Sequence, residues 1–269
     1  MKVFVLVVFI ALVVFVLINL PIVTGRGVKA VKEALANTQP IELSGKTLFI
    51  SDLHLTAEPS LEQQFNLDFS NVQNVVIVGD FFNQAEDFES FGATEEESMR
   101  AVLERIAPQA FSGTIFFIAS GHSHDPRLQE ISRLRFENFE FIYLGEYGKF
   151  ILGGEQEVVA MHGGQLHEGI IGGGVTWLAG KFGLVLPLEK LGKNRFGIDK
   201  NTWLVAGHSH VPGIDQAAKV ANTGSFVGAP FNKFIFRIHI GTGVLFDGGA
   251  VELQEYEGLN LKELYLFAL

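Results

Sequence analysis

Five short blocks of metal-binding residue types each follow an apolar run in this chain, and together they constrain its fold more than any other feature. They are Asp52-Leu53-His54, Gly79-Asp80, His122-Ser123-His124-Asp125, His162-Gly163 and Gly207-His208-Ser209-His210. The runs before them, at 46–51, 74–79, 113–119, 157–161 and 202–206, read as strands. In a layered α/β sheet the C-terminal ends of strands converge on one edge, and the loops that leave them are held in fixed positions. The order of the blocks therefore predicts one site. The tetrapeptide Gly-His-Ser-His occurs twice, at 121–124 and 207–210, and takes up four of the eight histidines.

The intervening sequence supports a layered α/β domain with a mixed sheet. Residues 94–107 read as a helix that Thr94 can cap, with Glu95, Glu96 and Glu97 at the positive end of the dipole. Residues 126–135 read as a second helix opened by Pro126. Strands are expected at 139–144 and 149–152, then at 218–221, 233–240, 244–246 and 250–255. Gly241 with Gly243, and Gly248 with Gly249, supply hairpin turns between the later strands.

The net charge of −10 argues against nonspecific nucleic-acid binding. With no cysteine, thiolate nucleophiles and Cys-based zinc sites are excluded. Residues 3–20 carry no charge, and at about 1.5 Å per residue they match a bilayer core. The run exceeds a signal-peptide core, and no A-x-A site follows. This predicts a single N-terminal transmembrane helix at 1–21, a juxtamembrane linker at 22–44 with a short helix around 27–37, and a catalytic domain at 45–269. Arg26, Lys29 and Lys32 outnumber Lys2 on the other flank, which favours a single-pass protein with a cytoplasmic domain.

Two aspartates and several histidines at one sheet edge can hold two divalent cations with mixed N/O ligation, provided one carboxylate bridges them. A metal-bound hydroxide then attacks phosphorus in line without any side-chain nucleophile. The series of blocks resembles the calcineurin-like metallophosphoesterase superfamily, whose pattern is D-x-H, GD, GNH-D/E, H and GH-x-H. Asn222-Thr223-Gly224-Ser225 is similar to that family's closing N-P-G-S turn. The resemblance implies a four-layer α/β/β/α sandwich and two divalent ions, with Mn, Fe and Zn as candidates. It implies that Asp52, His54 and His210 hold one ion, that Asp80 bridges, and that His162 and His208 hold the second. It also implies that His124 sits beside the scissile phosphate with Asp125 orienting it.

One position departs from the pattern. The family's Asn corresponds either to Ser123 or, with a loop one residue longer, to His122. Imidazole is the better ligand, which favours His122. Three other residues have competing readings. His167 reads as a lid residue or a support for the ligands, Asn83 as a turn residue or such a support, and His239 as structural.

Residues 169–188 carry one charge, Lys181, and six glycines. A membrane crossing there would part His162 from His208, so the insert at about 165–200 reads as a lid or interfacial hairpin. Trp177, Phe182, Leu184, Val185 and Leu186 could enter the headgroup boundary. Lys190, Lys193, Arg195 and Lys200 could meet phosphates. The layout is similar to that of UDP-diacylglucosamine pyrophosphatases. The expected substrate is a phosphorylated small molecule or lipid carrying a phosphoester or pyrophosphate bond, and the membrane is the expected partner. A catalytically weakened metal- or lipid-binding member and a nuclease are the alternatives.

Overall fold

Alternate residues of the central apolar runs face two different cores, which explains why those runs carry no polar face. In a computed structural model, residues 21–56, 67, 69, 71–107, 111–167, 169–227 and 241–256 are described. The expected strand at 233–240, with His239, lies outside them, as does the apolar segment at 3–20. Among the described residues no helix is long and apolar enough to cross a membrane.

The first sheet has seven strands: β2 (Thr47–Ile50), β3 (Asn74–Val78), β4 (Gly113–Ile118), β5 (Arg133–Arg135), β6 (Phe139–Tyr143), β12 (Thr242–Asp247) and β13 (Ala250–Glu255). Their order is β13-β12-β2-β3-β4-β6-β5. The second has six: β1 (Pro40–Leu43), β7 (Gly148–Leu152), β8 (Gln156–Met161), β9 (Trp203–Ala206), β10 (Gly213–Asp215) and β11 (Val220–Asn222). Their order is β1-β7-β8-β9-β11-β10. Parallel pairs run β2-β3-β4-β6 in the first sheet, and β8-β9-β11 in the second. Antiparallel strands flank both, so both sheets are mixed.

Phe49, Val76, Val78, Phe116 and Ile118 point from the first sheet into a core shared with Phe150, Val158, Trp203 and Val205 of the second. Their neighbours Leu48, Ile50, Val75, Ile77, Ile115 and Phe117 face the other way, against a helical layer. That layer contains α3 (Ala85–Glu89) and α4 (Glu95–Ile106), which contribute Phe88, Met99, Val102 and Leu103. Behind the second sheet lie α1 (Pro21–Thr24), α2 (Val28–Asn37) and α6 (Pro187–Phe196). Ile22, Val31, Leu35 and Phe196 pack there against Val159, Met161, Leu204 and Val220. The result is the expected helix, sheet, sheet, helix order. Each fully buried large apolar side chain contributes about 1.5–3 kcal/mol.

Thr94 caps α4 as expected, accepting from the Glu97 amide at 3.2 Å. The segment at 22–44, expected as a linker, is instead built into the fold. β1 pairs in parallel with β7, and α2 buries Val31 and Leu35 against the second sheet. Residues 126–135 form no helix. The Gln129 and Glu130 amides donate to the Glu95 carboxylate at 2.9–3.2 Å, and the chain then enters β5. Gly248 and Gly249 make the β12–β13 turn, whereas Gly243 lies inside β12.

Candidate metal centre

All five blocks come together at the sheet edge where β2, β3 and β4 of one sheet and β8 and β9 of the other end. Cross-links between the loops fix their arrangement. The Asp52 and His54 amides donate to the carbonyls of Gly79 and Asp80 at 3.1 and 3.0 Å, and the Gly207 amide donates to the His162 carbonyl at 2.9 Å. The His208 amide donates to Asp52 Oδ2 at 3.0 Å, and Ser51 Oγ donates to the same oxygen.

The backbone is strained here. Seven described non-glycine residues have positive φ, and five belong to the blocks: Asp52, His54, Asp80, His208 and His210, at 47–67°. Each such conformation costs about 1 kcal/mol or more, and such strain clusters at functional sites. Here it turns short side chains at the strand ends toward one point.

Ligand atoms of Asp80, His122, His162 and His208 all lie within 4.8 Å of one another, and so do those of Asp52, His54 and His210. Asp80 reaches both groups. Its Oδ1 is 3.3 Å from His122 Nε2, and its Oδ2 is 3.2 Å from His162 Nε2 and 3.7 Å from His54 Nε2. His210 Nε2 is 2.9 Å from Asp52 Oδ1. His162 Nδ1 bonds the Val78 carbonyl at 2.9 Å, so Nδ1 carries the proton and the Nε2 lone pair faces the cluster. Asp80 Oδ1 and His122 Nε2 are buried and make no hydrogen bond, and buried Asp52 Oδ1 meets only the His210 ring. A buried carboxylate oxygen without a donor is costly, and a cation would satisfy all three atoms. The donor set suits divalent ions such as Mn, Fe or Zn.

The electrostatics point the same way. Burial opposes ionisation of Asp52 and Asp80, but facing imidazoles hold both carboxyls well below the usual range: His210 then His162 for Asp52, and His162 above all for Asp80. Burial lowers His54 to about 4 and also lowers His122 and His208, keeping those rings neutral. His162 is the exception. Burial works against its charge, but Asp80 and Asp52 outweigh it and raise its pKa.

His124 stands between the two groups, its ring centroid 5.0 Å from those of both His54 and His122. Together with His54 and Asp80 it forms a third possible ligand group. Its Nδ1 bonds the carbonyl of Asn83. The orienting role expected of Asp125 is thus met by a backbone oxygen. Asp125 is buried and accepts from the amides of Asp80, Phe81 and Ser120 at 2.8 Å and of Phe82 at 3.3 Å. It shapes the loop that carries Asp80. Ser123 is exposed and its carbonyl accepts from the Ala85 amide at 2.9 Å, while His122 Nε2 lies 3.3 Å from Asp80 Oδ1.

Three supports were given no role in the sequence reading. Glu189, wholly buried on α6, accepts from Asn222 Nδ2 at 3.0 Å. The same amide donates to the Gly207 carbonyl at 2.9 Å. Ser51 lies under Asp52. Asn222 stood in the Asn-Thr-Gly-Ser turn and could have been found from it; Glu189 is a lone helical glutamate with no distinguishing spacing.

No protein-family model and no curated protein matches the chain. Among solved structures it is similar to a single mutant of Vps29 from Entamoeba histolytica, at 14% identity and TM-score 0.38, covering 80% of this chain and 99% of that one. It is similar to a conserved predicted phosphoesterase from Streptococcus pneumoniae TIGR4, at 14% identity and TM-score 0.34, covering 81% and 94%. It is also similar to YfcE, a phosphoesterase from E. coli, at 15% identity and TM-score 0.39, covering 80% and 100%. At these scores the likenesses lend no weight to a function, which has to rest on the cluster itself.

Proposed function

We propose that this chain is a dinuclear, metal-dependent phosphoester hydrolase of the calcineurin-like metallophosphoesterase type. The observation that carries the reading is the double cradle: Asp52, His54 and His210 on one side, His122, His162 and His208 on the other, and Asp80 touching both. Divalent cations in such a cradle supply a hydroxide nucleophile near neutral pH and offset charge on phosphoryl oxygens. The chain's own residues do the rest. Asp80, by serving both sides, sets the spacing. The Asn83 carbonyl accepts from His124 Nδ1–H and so aims Nε2 toward the cluster, where the imidazolium form would give its Nε2 proton to the departing oxygen and the neutral ring would offer only a lone pair.

An amphiphilic substrate at a membrane is supported by the insert. Its turn exposes Phe182, Leu184 and Val185, by 78%, 56% and 42%. Leu186, expected beside them at the lipid boundary, is buried in the core behind the second sheet. Lys181 Nζ lies 5.0 Å from the Trp177 ring centroid. The Ile22 amide donates to the Leu166 carbonyl at 3.3 Å, which ties α1 to the root of the insert.

The test is hydrolysis of bis-p-nitrophenyl phosphate and p-nitrophenyl phosphate by the full chain with added Mn²⁺, Fe²⁺ or Zn²⁺. Turnover is expected with at least one ion, and His124→Ala should lower kcat by about 10²–10⁴-fold at unchanged metal content. A folded, metal-loaded protein that hydrolyses neither ester would contradict the proposal.

A further inference from the structure

The insert between His162 and His208 does more than cover the site, because it touches His208 and Ser209 of one ligand loop and reaches Gly207 through Asn222. The first contact is His167. This ring is wholly buried, and its centroid lies 5.2 Å from that of His208, with the two planes 22° apart. Neither of its nitrogens makes a hydrogen bond, so the stacking on His208 is its principal polar-ring contact. The second is α5 (Gly169–Lys181). A Cβ at Gly172 would overlap the His167 ring, and one at Gly173 would lie 2.5 Å from the Ser209 carbonyl oxygen. Glycine costs about 1 kcal/mol relative to alanine inside a helix. At these two positions that cost lets the helix backbone reach the ring and the loop directly. The third contact comes from α6, where Glu189 holds Asn222 and Asn222 holds the Gly207 carbonyl.

We infer that the insert is a clamp on the loop Gly207-His208-Ser209, with His167 as the positioning residue that fixes the plane of the His208 ring, so that affinity for the second cation depends on the insert. This rests on the reading of His208 as a ligand of that cation. A lid that served only to enclose substrate would have no need of contacts to three backbone or ring groups behind a ligand. Outside the ligand cluster, the His208 ring is backed by the His167 ring of the insert. His162 is fixed by its bond to the Val78 carbonyl, whereas the His208 ring is held by its Nδ1, 2.9 Å from Nε2 of His162, and sits at a φ of 67° two residues beyond β9.

The test is a titration of the metal-free full chain with Mn²⁺, followed by calorimetry and by metal content. Wild type should bind two ions. His167→Ala and Gly173→Ala should weaken the second binding event about 10–100-fold and leave the first unchanged, the range typical of lost support for a ligand. His167→Phe keeps a stacking ring and should recover most of the second event. Glu189→Leu, which removes the acceptor for Asn222 Nδ2 at similar volume, gives an independent variant if either of the others fails to fold; it too should weaken the second event selectively. Two ions bound by wild type with the second event unchanged in the folded variants would overturn the clamp alone, as would equal weakening of both events. Wild type that binds no cation would overturn the dinuclear reading, and the clamp with it.

Discussion

The carboxylate of Asp125 accepts from four backbone amides, those of Asp80, Phe81, Phe82 and Ser120, and so closes the turn that presents Asp80. Burial pushes its pKa up to about 6, with the nearby Asp80 charge adding and the Ser120 and Phe81 amides pulling back. An amide side chain cannot accept from all four donors, because one of its two ends is itself a donor. Asp125→Asn should therefore cost about 2–4 kcal/mol of stability, read as a lower urea midpoint with little change in slope. This residue shows where single-position inference ends. The sequence placed Asp125 beside His124, and the natural reading was an acid orienting a base. Its actual partners are backbone amides, which look the same at every position of a sequence. His122 was more legible, because its ligand chemistry differs from that of Ser123 and only its ring meets Asp80.

At the scale of elements, strands were legible and the segments that pack by tertiary contact were not. The runs at 74–79 and 113–119 are apolar on both faces, and both faces prove buried, one against each core. Leu128, Ile131 and Leu134 recur at a helical spacing, yet that stretch is loop and strand: all three plug the outer core, and Glu95 supplies the acceptors a helix would have provided. The segment with glycines at 172, 173 and 174 was read as a lid or interfacial hairpin; those glycines sit within α5, where two of them admit neighbouring groups. The same element carries a pH effect. Burial lowers His167 from 6.5 to about 3. Between those values the unfolded chain takes up a proton that the folded chain refuses, so stability falls as pH drops through that window. Metal-free wild type should lose about 2 kcal/mol through this group between pH 7.5 and pH 5. His167→Phe should lack that part of the loss in urea titrations at the two pH values, and an equal loss in the variant would contradict the assignment.

At the scale of the molecule, the site is a seam. Asp52, His54, Asp80 and His122 leave the first sheet, while His162, His208 and His210 leave the second. Each ligand group draws on both sheets, so a cation in either one ties the two together across their shared core. A layered α/β domain with a mixed sheet followed from strand and helix alternation, and the four layers from the family resemblance, whereas the membership of 22–44 followed from neither. Its charge and its place after an apolar run suggested a tether, and only the pairing of β1 with β7 reveals it as part of the second sheet. The insert completes the seam from outside by bearing on the loop of His208. The most direct measurement is anomalous diffraction at the manganese edge from crystals of the full chain grown with Mn²⁺. The account predicts two peaks about 3.5–4 Å apart, one among Asp52, His54 and His210, the other among His122, His162 and His208, with Asp80 between them. A single peak, or a second ion that His122 does not contact, would contradict it.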